Sequence, residues 1–506
     1  MSGSCDTATG HHPTPAAASR RAWLGSLTAA MVAPTTSRSR PSAGSLRRDL
    51  AVLAAATVVV RIPAFMAERH LTFDDGVYGA SAVAMRAGGQ PFRDVFSSQG
   101  PLFLPLIAVA DASGLHTVNA PRLTSMLAAL LLVGATYMAG RAVTDRGGAL
   151  LAAGLVTATA TILWVTGPIA SDGAAIAFAT LTVALTLRWR DQMSTRRAIW
   201  LGLGVGATVS VKALLAPVVI PVALLLLAGR RLLPIVAGAS AATAFHLALW
   251  LPWGPSNVWE QSYEYHLEAV GQRTPVANLG KVLATMGDRD LLVVAALVLM
   301  VGALILHRRA AIPPAEPRLT SPDTLLLAWL GGTAVVLLTE HPLWRPHVSQ
   351  LIPAIALLAA RHRPPARALA LAAVLVVPYH LAHAWPVLHP SPYSGSSEAI
   401  VPTLRALPPG ALAISDDPGI VWRSGRLTPP DLVDASILRI ETGQLTGASV
   451  AAVAAQPDVC AVVVRSRVRW GSFEDLPRRL ERAGYDLTLE DSADRRLYLK
   501  ADCIPP

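Results

Sequence analysis

Two adjacent carboxylates, Asp74 and Asp75, follow the first long apolar segment of the chain, residues 50–65. Like charges this close repel each other, and each must stay hydrated or paired at a membrane surface. At an active site, such an acid could take a proton from an attacking hydroxyl group as a general base. The pair could equally be a helix N-cap with a solvated neighbour. It could also hold a divalent cation, although the chemistry does not require a metal.

The composition predicts that these acids belong to a membrane protein. The chain has 506 residues, of which 52% are hydrophobic and only 15% are charged, and its mean hydropathy is +0.44. A soluble domain would carry nearer to a quarter charged residues. The net charge of +10 is concentrated in short loops between apolar runs. This pattern is typical of an all-α polytopic membrane protein and does not indicate nucleic-acid binding.

The basic loops predict the orientation of about eleven transmembrane helices. Arg47 and Arg48 hold the start of the first helix inside, and nearly every later basic cluster then falls on the cytoplasmic side. The short apolar run at residues 101–112 is expected to be an interfacial or re-entrant helix within a long first outer loop, residues 67–120. The predicted spans are residues 50–65, 121–140, 148–164, 169–187, 198–211, 213–228, 232–251, 291–306, 324–338, 348–360 and 368–385.

The regions on either side of these spans differ in character. Residues 1–48 are rich in Ser, Pro, Ala and Arg, which predicts a disordered, basic cytoplasmic tail ahead of a transmembrane domain over residues 49–390. Residues 391–506 predict a small α/β domain, with strands at 411–415, 459–464, 487–489 and 497–499 and a helix at 474–483. The helix parity places this domain outside the cytoplasm. There Cys460 and Cys503 would either form a disulfide bond or remain free thiols.

With this orientation, the polar residues named at the end of this paragraph all lie on the outer side. Each of them also has a purely structural interpretation. Lys212 could snorkel to headgroups, Asp172 could cap a helix, and Arg93 could bind lipid phosphate or carboxylates of its own loop. The histidines could be packed loop residues, and the tyrosines and tryptophans of residues 253–265 an interfacial aromatic belt. The shared location favours function. The converging residues are Asp74, Asp75, Arg93, Gln99, Asp172, Lys212, Glu340, His341, Arg345 and His347.

Several motifs resemble one known family. Residues 74–78 (DDGVY), 89–94 (GQPFRD) and 99–102 (QGPL) resemble the first outer loop of bacterial GT-C glycosyltransferases of the protein O-mannosyltransferase and aminoarabinose-transferase type. The stretch 206–213, which contains Lys212, is similar to the family's Gly-rich helix that ends in a lysine. Residues 341–347 (HPLWRPH) resemble its late, histidine-bearing outer loop. The likeness covers about residues 50–385.

The resemblance implies a membrane enzyme that uses a polyprenyl-phosphate sugar. Asp74 or Asp75 would be the general base on an unknown acceptor hydroxyl, with inversion at the sugar carbon. Phosphate binding is implied for Arg93, Lys212, Arg345 and His347, and substrate binding for Tyr78, Gln99, Asp172 and His341. The chain departs from the family where Lys/His-Pro-Pro is replaced by Gln99-Gly100-Pro101, so a cation near the donor phosphate is missing. The implied location is the cell membrane, with the active site and the C-terminal domain outside the cytoplasm.

Two other classes of protein fit the same outward polar residues. A transporter or lipid flippase would also need them, but it should show internal repeats or broken helices near the bilayer midplane. The sequence shows neither. A non-catalytic scaffold, whose C-terminal domain binds a partner or a glycan, is the third hypothesis.

Overall fold

The computed structural model describes residues 43–268, 274–307, 319–363, 366–491 and 495–503. Residues 50–506 form one compact unit, to which all the contacts below belong. The first helix begins at Ala43, so the prediction of disorder up to residue 48 is wrong for its last six residues. The rest of the predicted tail lies outside the described residues.

The helical region follows the predicted order closely. Each predicted span coincides with a helix or with two consecutive helical pieces. The helices are α1 Ala43–Met66, α2 Phe73–Arg86, α3 Phe103–Ser113, α4 Leu123–Val143, α5 Arg146–Ala158, α6 Ala160–Thr166, α7 Ser171–Trp189, α8 Thr195–Val211, α9 Val219–Ala228, α10 Leu232–Ala248, α11 Pro255–Trp259, α12 Tyr265–Glu268, α13 Pro275–Arg289, α14 Leu291–His307, α15 Pro322–Thr339, α16 Ile352–Arg361 and α17 Ala366–Leu388. Short 3₁₀ turns at Ala213–Val218 and Arg345–Leu351 lead into α9 and α16.

The number of membrane crossings stays a prediction. Among the described residues, five helices are long and apolar enough to cross a membrane, and a sixth is added if α5 and α6 count as one span. The other predicted spans are shorter or more polar helices. Small residues let some of these helices approach closely, as is common between membrane helices. A Cβ atom on Gly202 of α8, for example, would lie 2.1 Å from the carbonyl oxygen of Gly238 in α10.

One predicted span is broken. Helices α5 and α6 meet at an angle of 64°, which the sequence did not predict. The Asp290 carboxylate accepts hydrogen bonds from the backbone NH and the hydroxyl of Thr161, and His380 contacts the freed carbonyl of Ala158. Side chains from elsewhere in the chain therefore satisfy backbone groups at the break.

The C-terminal segment is an α/β domain, as predicted. Its sheet has the order β1–β2–β4–β3, in which β1 pairs with β2 in parallel and the other pairs are antiparallel. Every residue of β2 is buried because apolar side chains cover both faces of the sheet. Cys460 and Cys503 form a disulfide bond. The strands are β1 Leu412–Ser415, β2 Val459–Val464, β3 Tyr485–Glu490 and β4 Arg496–Lys500, and the helices are α18 Ser396–Ala406, α19 Pro418–Arg423, α20 Ile437–Glu441, α21 Gly447–Ala454 and α22 Leu476–Arg482.

Candidate active site

Helix α2 carries the acidic pair and begins with a well-formed cap. The hydroxyl of Thr72 accepts a hydrogen bond from the backbone NH of Asp75, so Thr72 is the N-cap, and neither aspartate is. Both acids occupy the first turn, where the helix dipole favours negative charge. Two successive positions of a helix point about 100° apart. The two carboxylates therefore face different surroundings.

Asp75 is held in a buried ion pair. One of its oxygens lies 2.5 Å from Nη2 of Arg122, and the other accepts a bond of 3.2 Å from Nε. The backbone NH groups of Leu71 and Ile169 donate further bonds of 2.9 Å. Burial opposes ionisation, but Arg122 and these hydrogen bonds lower the pKa of Asp75 below its ordinary value. Both carboxylate oxygens are occupied, which leaves no lone pair well placed to accept a substrate proton.

Asp74 has the opposite environment. It is half-buried, and its carboxylate accepts no side-chain hydrogen bond from any residue in the described ranges. Burial raises the pKa of Asp74 from 3.8 to about 6, Lys212 opposes this rise, and the carboxylates of Asp172 and Asp434 add to it. A carboxyl group with free oxygens and a pKa nearer to neutrality is well suited to general base catalysis.

A chain of ionisable groups lies on the other side of the same cavity. The Lys212 ammonium is 2.8 Å from Oδ2 of Asp172 and 3.0 Å from Nε2 of His347. On the far side of that imidazole ring, Nδ1 lies 2.5 Å from a carboxylate oxygen of Glu340. Lys212 reaches this position because α8 ends there and the backbone turns to an extended conformation. Lys212 is therefore fixed between protein groups rather than snorkelling to headgroups.

These groups border one cavity with a volume of about 640 Å³. Seven of the residues predicted as site residues line it. They are Asp74, Tyr78, Gln99, Asp172, Lys212, His341 and His347. The expected convergence therefore holds for these seven residues, and the location of the cavity on the outer side of the membrane stays a prediction.

Three predicted site residues do not line the cavity. Asp75 is turned to Arg122, as described above. Arg93 is exposed and donates a hydrogen bond of 2.9 Å to the side-chain oxygen of Gln90 in its own loop. Arg345 is half-exposed and lies 3.7 Å from the carboxylate of Asp288. Neither Arg93 nor Arg345 lines the cavity that Asp74 and Lys212 share, so their predicted roles in binding the donor phosphate gain no support from its lining.

Part of the cavity wall is polar and hydrogen-bonded. The Gln99 side-chain oxygen accepts a bond of 2.8 Å from the Ser171 hydroxyl, and the Gln99 backbone carbonyl accepts one of 2.6 Å from Ser262. The Tyr78 ring packs edge-on against Phe103. Burial raises the pKa of Tyr78 well above its ordinary value, so its hydroxyl stays protonated and can donate a hydrogen bond. These side chains can hold a polyhydroxylated ligand in one orientation.

The C-terminal domain supplies part of the cavity wall, which the sequence did not indicate. Asp434, Ser436 and Arg469 all line the cavity. These three residues lie in loops of the C-terminal domain, whose sequence predicts a separate domain. No local sequence pattern therefore connects them to Asp74. The backbone NH of Ser436 donates a bond of 2.8 Å to Asp434, and the hydroxyl of Ser436 lies 2.7 Å from that of Tyr265.

This domain is docked directly on the acid-bearing helix. The ring of Trp422 fills the space beside Gly79, where a Cβ atom would lie 2.2 Å from the indole. Arg122 and Arg423 each lie over the Trp422 ring, at 5.4 and 4.7 Å from its centroid. Arg423 also donates to the backbone carbonyl of Glu68 at 2.8 Å. The same arginine that pairs with Asp75 therefore contacts the C-terminal domain.

The described residues contain no group of three or more His, Cys, Asp or Glu side chains arranged to hold a metal ion. The predicted possibility of a divalent cation between Asp74 and Asp75 finds no support in their geometry, since Asp75 is committed to Arg122.

Comparisons with solved structures match most of the chain, whereas no family model and no curated protein sequence matches it. ArnT from Cupriavidus metallidurans, bound to undecaprenyl phosphate, aligns with a TM-score of 0.61 at 14% identity, covering 92% of this chain and all of that chain. The archaeal oligosaccharyltransferase AglB from Archaeoglobus fulgidus, in complex with an inhibitory peptide and a dolichol-phosphate, aligns with a TM-score of 0.52 at 11% identity, covering 91% of this chain and 75% of that chain. The chain therefore has the GT-C fold that its motifs resemble.

Proposed function

We propose that this protein is a membrane glycosyltransferase that moves a sugar from a polyprenyl-phosphate donor to an acceptor hydroxyl group on the outer face of the cell membrane. One observation carries the proposal. Asp74 shares a cavity with the fixed ammonium of Lys212, and its carboxylate has no hydrogen-bond partner among the described residues. A hydroxyl group that attacks needs a base such as this carboxylate. A phosphate that departs needs a cation such as this ammonium group.

Asp74 acts as the general base in this mechanism. The acceptor oxygen forms a bond to the anomeric carbon while the bond from that carbon to the phosphate oxygen breaks. The proton of the acceptor hydroxyl passes to Asp74, and the electron pair of the broken bond leaves with the polyprenyl phosphate. Attack opposite the leaving group inverts the anomeric centre. Asp75 has a different role, which is to fix the start of α2 through Arg122.

Lys212 stabilises the negative charge on the departing phosphate. An ammonium group has three N–H donors, and two of them are directed to Asp172 and His347. The third can meet a phosphate oxygen. Because Lys212 donates to Nε2 of His347, the imidazole carries its proton on Nδ1, beside Glu340. His347 is therefore a positioning residue for Lys212 in this mechanism, rather than a phosphate donor.

The acceptor enters between the transmembrane region and the C-terminal domain. Asp434, Ser436 and Arg469 offer polar contacts on that side of the cavity. The similar structures support a lipid-phosphate donor, since ArnT is bound to undecaprenyl phosphate and AglB to a dolichol-phosphate. The acceptor is a hydroxyl-bearing glycan, lipid or protein.

The broken span does not favour the transporter hypothesis. Thr161, Asp290 and His380, the residues that close the break, are not among those that line the cavity. A discontinuous helix in a transporter directs its ends to the substrate site. The break between α5 and α6 instead has its polar groups satisfied by neighbouring helices.

Transfer of labelled sugar tests the proposal. The full-length protein in nanodiscs, given a radiolabelled polyprenyl-phosphate sugar and a bacterial envelope extract, should release polyprenyl phosphate and label an acceptor. Asp74→Asn should abolish labelling, whereas Asp191→Asn, at an exposed loop position, should leave it unchanged. A flippase would move the lipid across the bilayer without labelling any acceptor. Full activity of Asp74→Asn would remove Asp74 from the base role.

A further inference from the structure

The charges around the cavity are unbalanced. Among the residues that line it, carboxylates outnumber fixed cations, and the charge of Lys212 is already offset by Asp172 at 2.8 Å. A phosphate entering this cavity would therefore meet a negative field from the remaining acids. The carboxylates are Asp74, Asp172, Glu340 and Asp434, and the fixed cations are Lys212 and Arg469.

Arg469 differs from Lys212 in its carboxylate neighbours, Asp416 and Asp417, whose ionisation its charge favours from beyond ion-pair distance. In the ranges that the structure describes, its guanidinium group forms no ion pair. Its Nη1 donates a bond of 2.7 Å to the backbone carbonyl of Asp416, and its Nε is buried without a hydrogen-bond partner. The guanidinium carbon lies 3.9 Å from the centre of the Phe73 ring, the residue just before Asp74. Arg469 is thus a positioned cation with donor capacity left over at the cavity wall.

We propose that Arg469, contributed by the C-terminal domain, binds the phosphate of the polyprenyl-phosphate sugar, and this inference rests on the proposed function. The donor phosphate is a diester with one negative charge. When the bond to the sugar breaks, the departing monoester gains a second charge, which a cation must meet. The planar guanidinium group suits phosphate oxygens, because two of its N–H groups can donate side by side.

This assignment also accounts for one departure seen in the sequence and for the positions of two arginines in the structure. The first outer loop has Gln99 where the family motif has a cation, and Gln99 is bound to Ser171. The two other arginines expected to supply the charge, Arg93 and Arg345, do not line the cavity. Among the described residues, Arg469 is the arginine that lines the cavity. The C-terminal domain would then complete the catalytic site, and it would not be an independent module.

A role for Arg469 in docking the domain would be redundant. The stacking on Phe73 holds the domain near α2, but Trp422 already packs on the same helix, and Arg423 bonds to Glu68 before it and to Asn119 after it. A docking residue also has no need of an unpartnered buried Nε. The two roles make different predictions for ligands that differ only in the phosphate group.

Binding of undecaprenyl phosphate and of undecaprenol separates these roles. Native mass spectrometry on the full-length protein in detergent would measure both ligands for the wild type, Arg469→Gln and Arg469→Met. The methionine variant keeps an unbranched chain that can pack on Phe73 without a charge. Arg467→Gln, at an exposed position in the same loop, is the matched control. We expect loss of Arg469 to weaken binding of undecaprenyl phosphate by on the order of tenfold to a hundredfold, with undecaprenol unchanged.

The outcomes distinguish this inference from the function on which it rests. A wild-type protein that shows no preference for undecaprenyl phosphate over undecaprenol overturns the proposed donor and the role of Arg469 together. A wild type with that preference, and Arg469 variants that keep it in full, overturns the role of Arg469 alone. Equal loss of both ligands in Arg469→Met, which keeps the packing, would show that Arg469 acts through structure.

Discussion

The adjacent aspartates should respond to the same substitution in opposite directions. In the folded protein the pKa of Asp74 is about 6, against 3.8 in an unfolded chain. The folded state therefore binds the proton more tightly, and stability falls as the pH rises from about 4 to about 6. A difference of roughly 2 pKa units corresponds to ~3 kcal/mol. Because Asp74 is half-buried and solvent screens part of its charge, we expect Asp74→Asn to raise the unfolding free energy by about 1–3 kcal/mol above pH 6.

Asp75→Asn should have the reverse effect. The carboxylate of Asp75 is paired with buried Arg122 at 2.5 Å. The asparagine cannot offset that charge, and breaking a buried ion pair by removing one partner costs on the order of 3–5 kcal/mol. The loss should also loosen the contact of Arg122 with the Trp422 ring.

Thermal unfolding of the purified protein in detergent, at about pH 5 and about pH 8, measures both effects. The gain of Asp74→Asn over the wild type should shrink at the lower pH, where Asp74 is largely protonated. Asp191→Asn, at an exposed position, serves as the control for the change from acid to amide. The reasoning would be refuted if Asp74→Asn were less stable than the wild type at pH 8, or if Asp75→Asn were as stable.

Three further predictions concern the same cavity and its support. Transfer activity should rise with pH through about 6, as Asp74 loses its proton, and fall about tenfold per unit below that; a pH–rate profile flat from 5 to 8 would exclude Asp74 as the base. Lys212→Gln should lower the transfer rate by about 10²–10³ and destabilise the protein by leaving a buried carboxylate unpaired, whereas Lys281→Gln, outside the cavity, should do neither. Gly79→Ala should cost about 1–3 kcal/mol in a thermal melt, because the new Cβ overlaps an indole ring of the C-terminal domain; Gly287→Ala, with open space around it, should not.

Much of the helical architecture could be predicted from sequence. Long apolar runs with arginines at alternate ends are typical of helices that cross a membrane in alternating directions. Each predicted span is helical in the structure. The strands of the C-terminal domain could also be predicted. Val459–Val464, for example, is a continuous apolar run, and it is buried in the structure. The break between α5 and α6 was not predicted, because the groups that close it, Asp290 and His380, come from distant parts of the chain.

The sequence predicted which residues meet at the site better than it predicted what each of them does there. A helix cannot point two successive side chains the same way, and the sequence could not say which of Asp74 and Asp75 faces the cavity. That choice depends on Arg122, which lies in the next part of the fold. Arg93 does not line the cavity, and its side chain hydrogen-bonds to Gln90 in its own loop.

The contribution of the C-terminal domain had no sequence signal. Arg469 and Asp434 lie in loops whose apolar neighbours pack in the domain's own core. Their approach to α2 depends on the close fit of Trp422 against Gly79, which arises from tertiary packing alone. The contact itself depends on a glycine of α2, because only a residue without a Cβ atom leaves room for the indole ring.

The most direct test of the account is a structure of the full-length Asp74→Asn protein with a polyprenyl-phosphate sugar bound in a nanodisc. The account predicts the phosphate within hydrogen-bond distance of Lys212 and Arg469, and the anomeric carbon on the side of the cavity that carries residue 74. Lipid phosphate bound outside this cavity, with the cavity closed to the sugar, would contradict it.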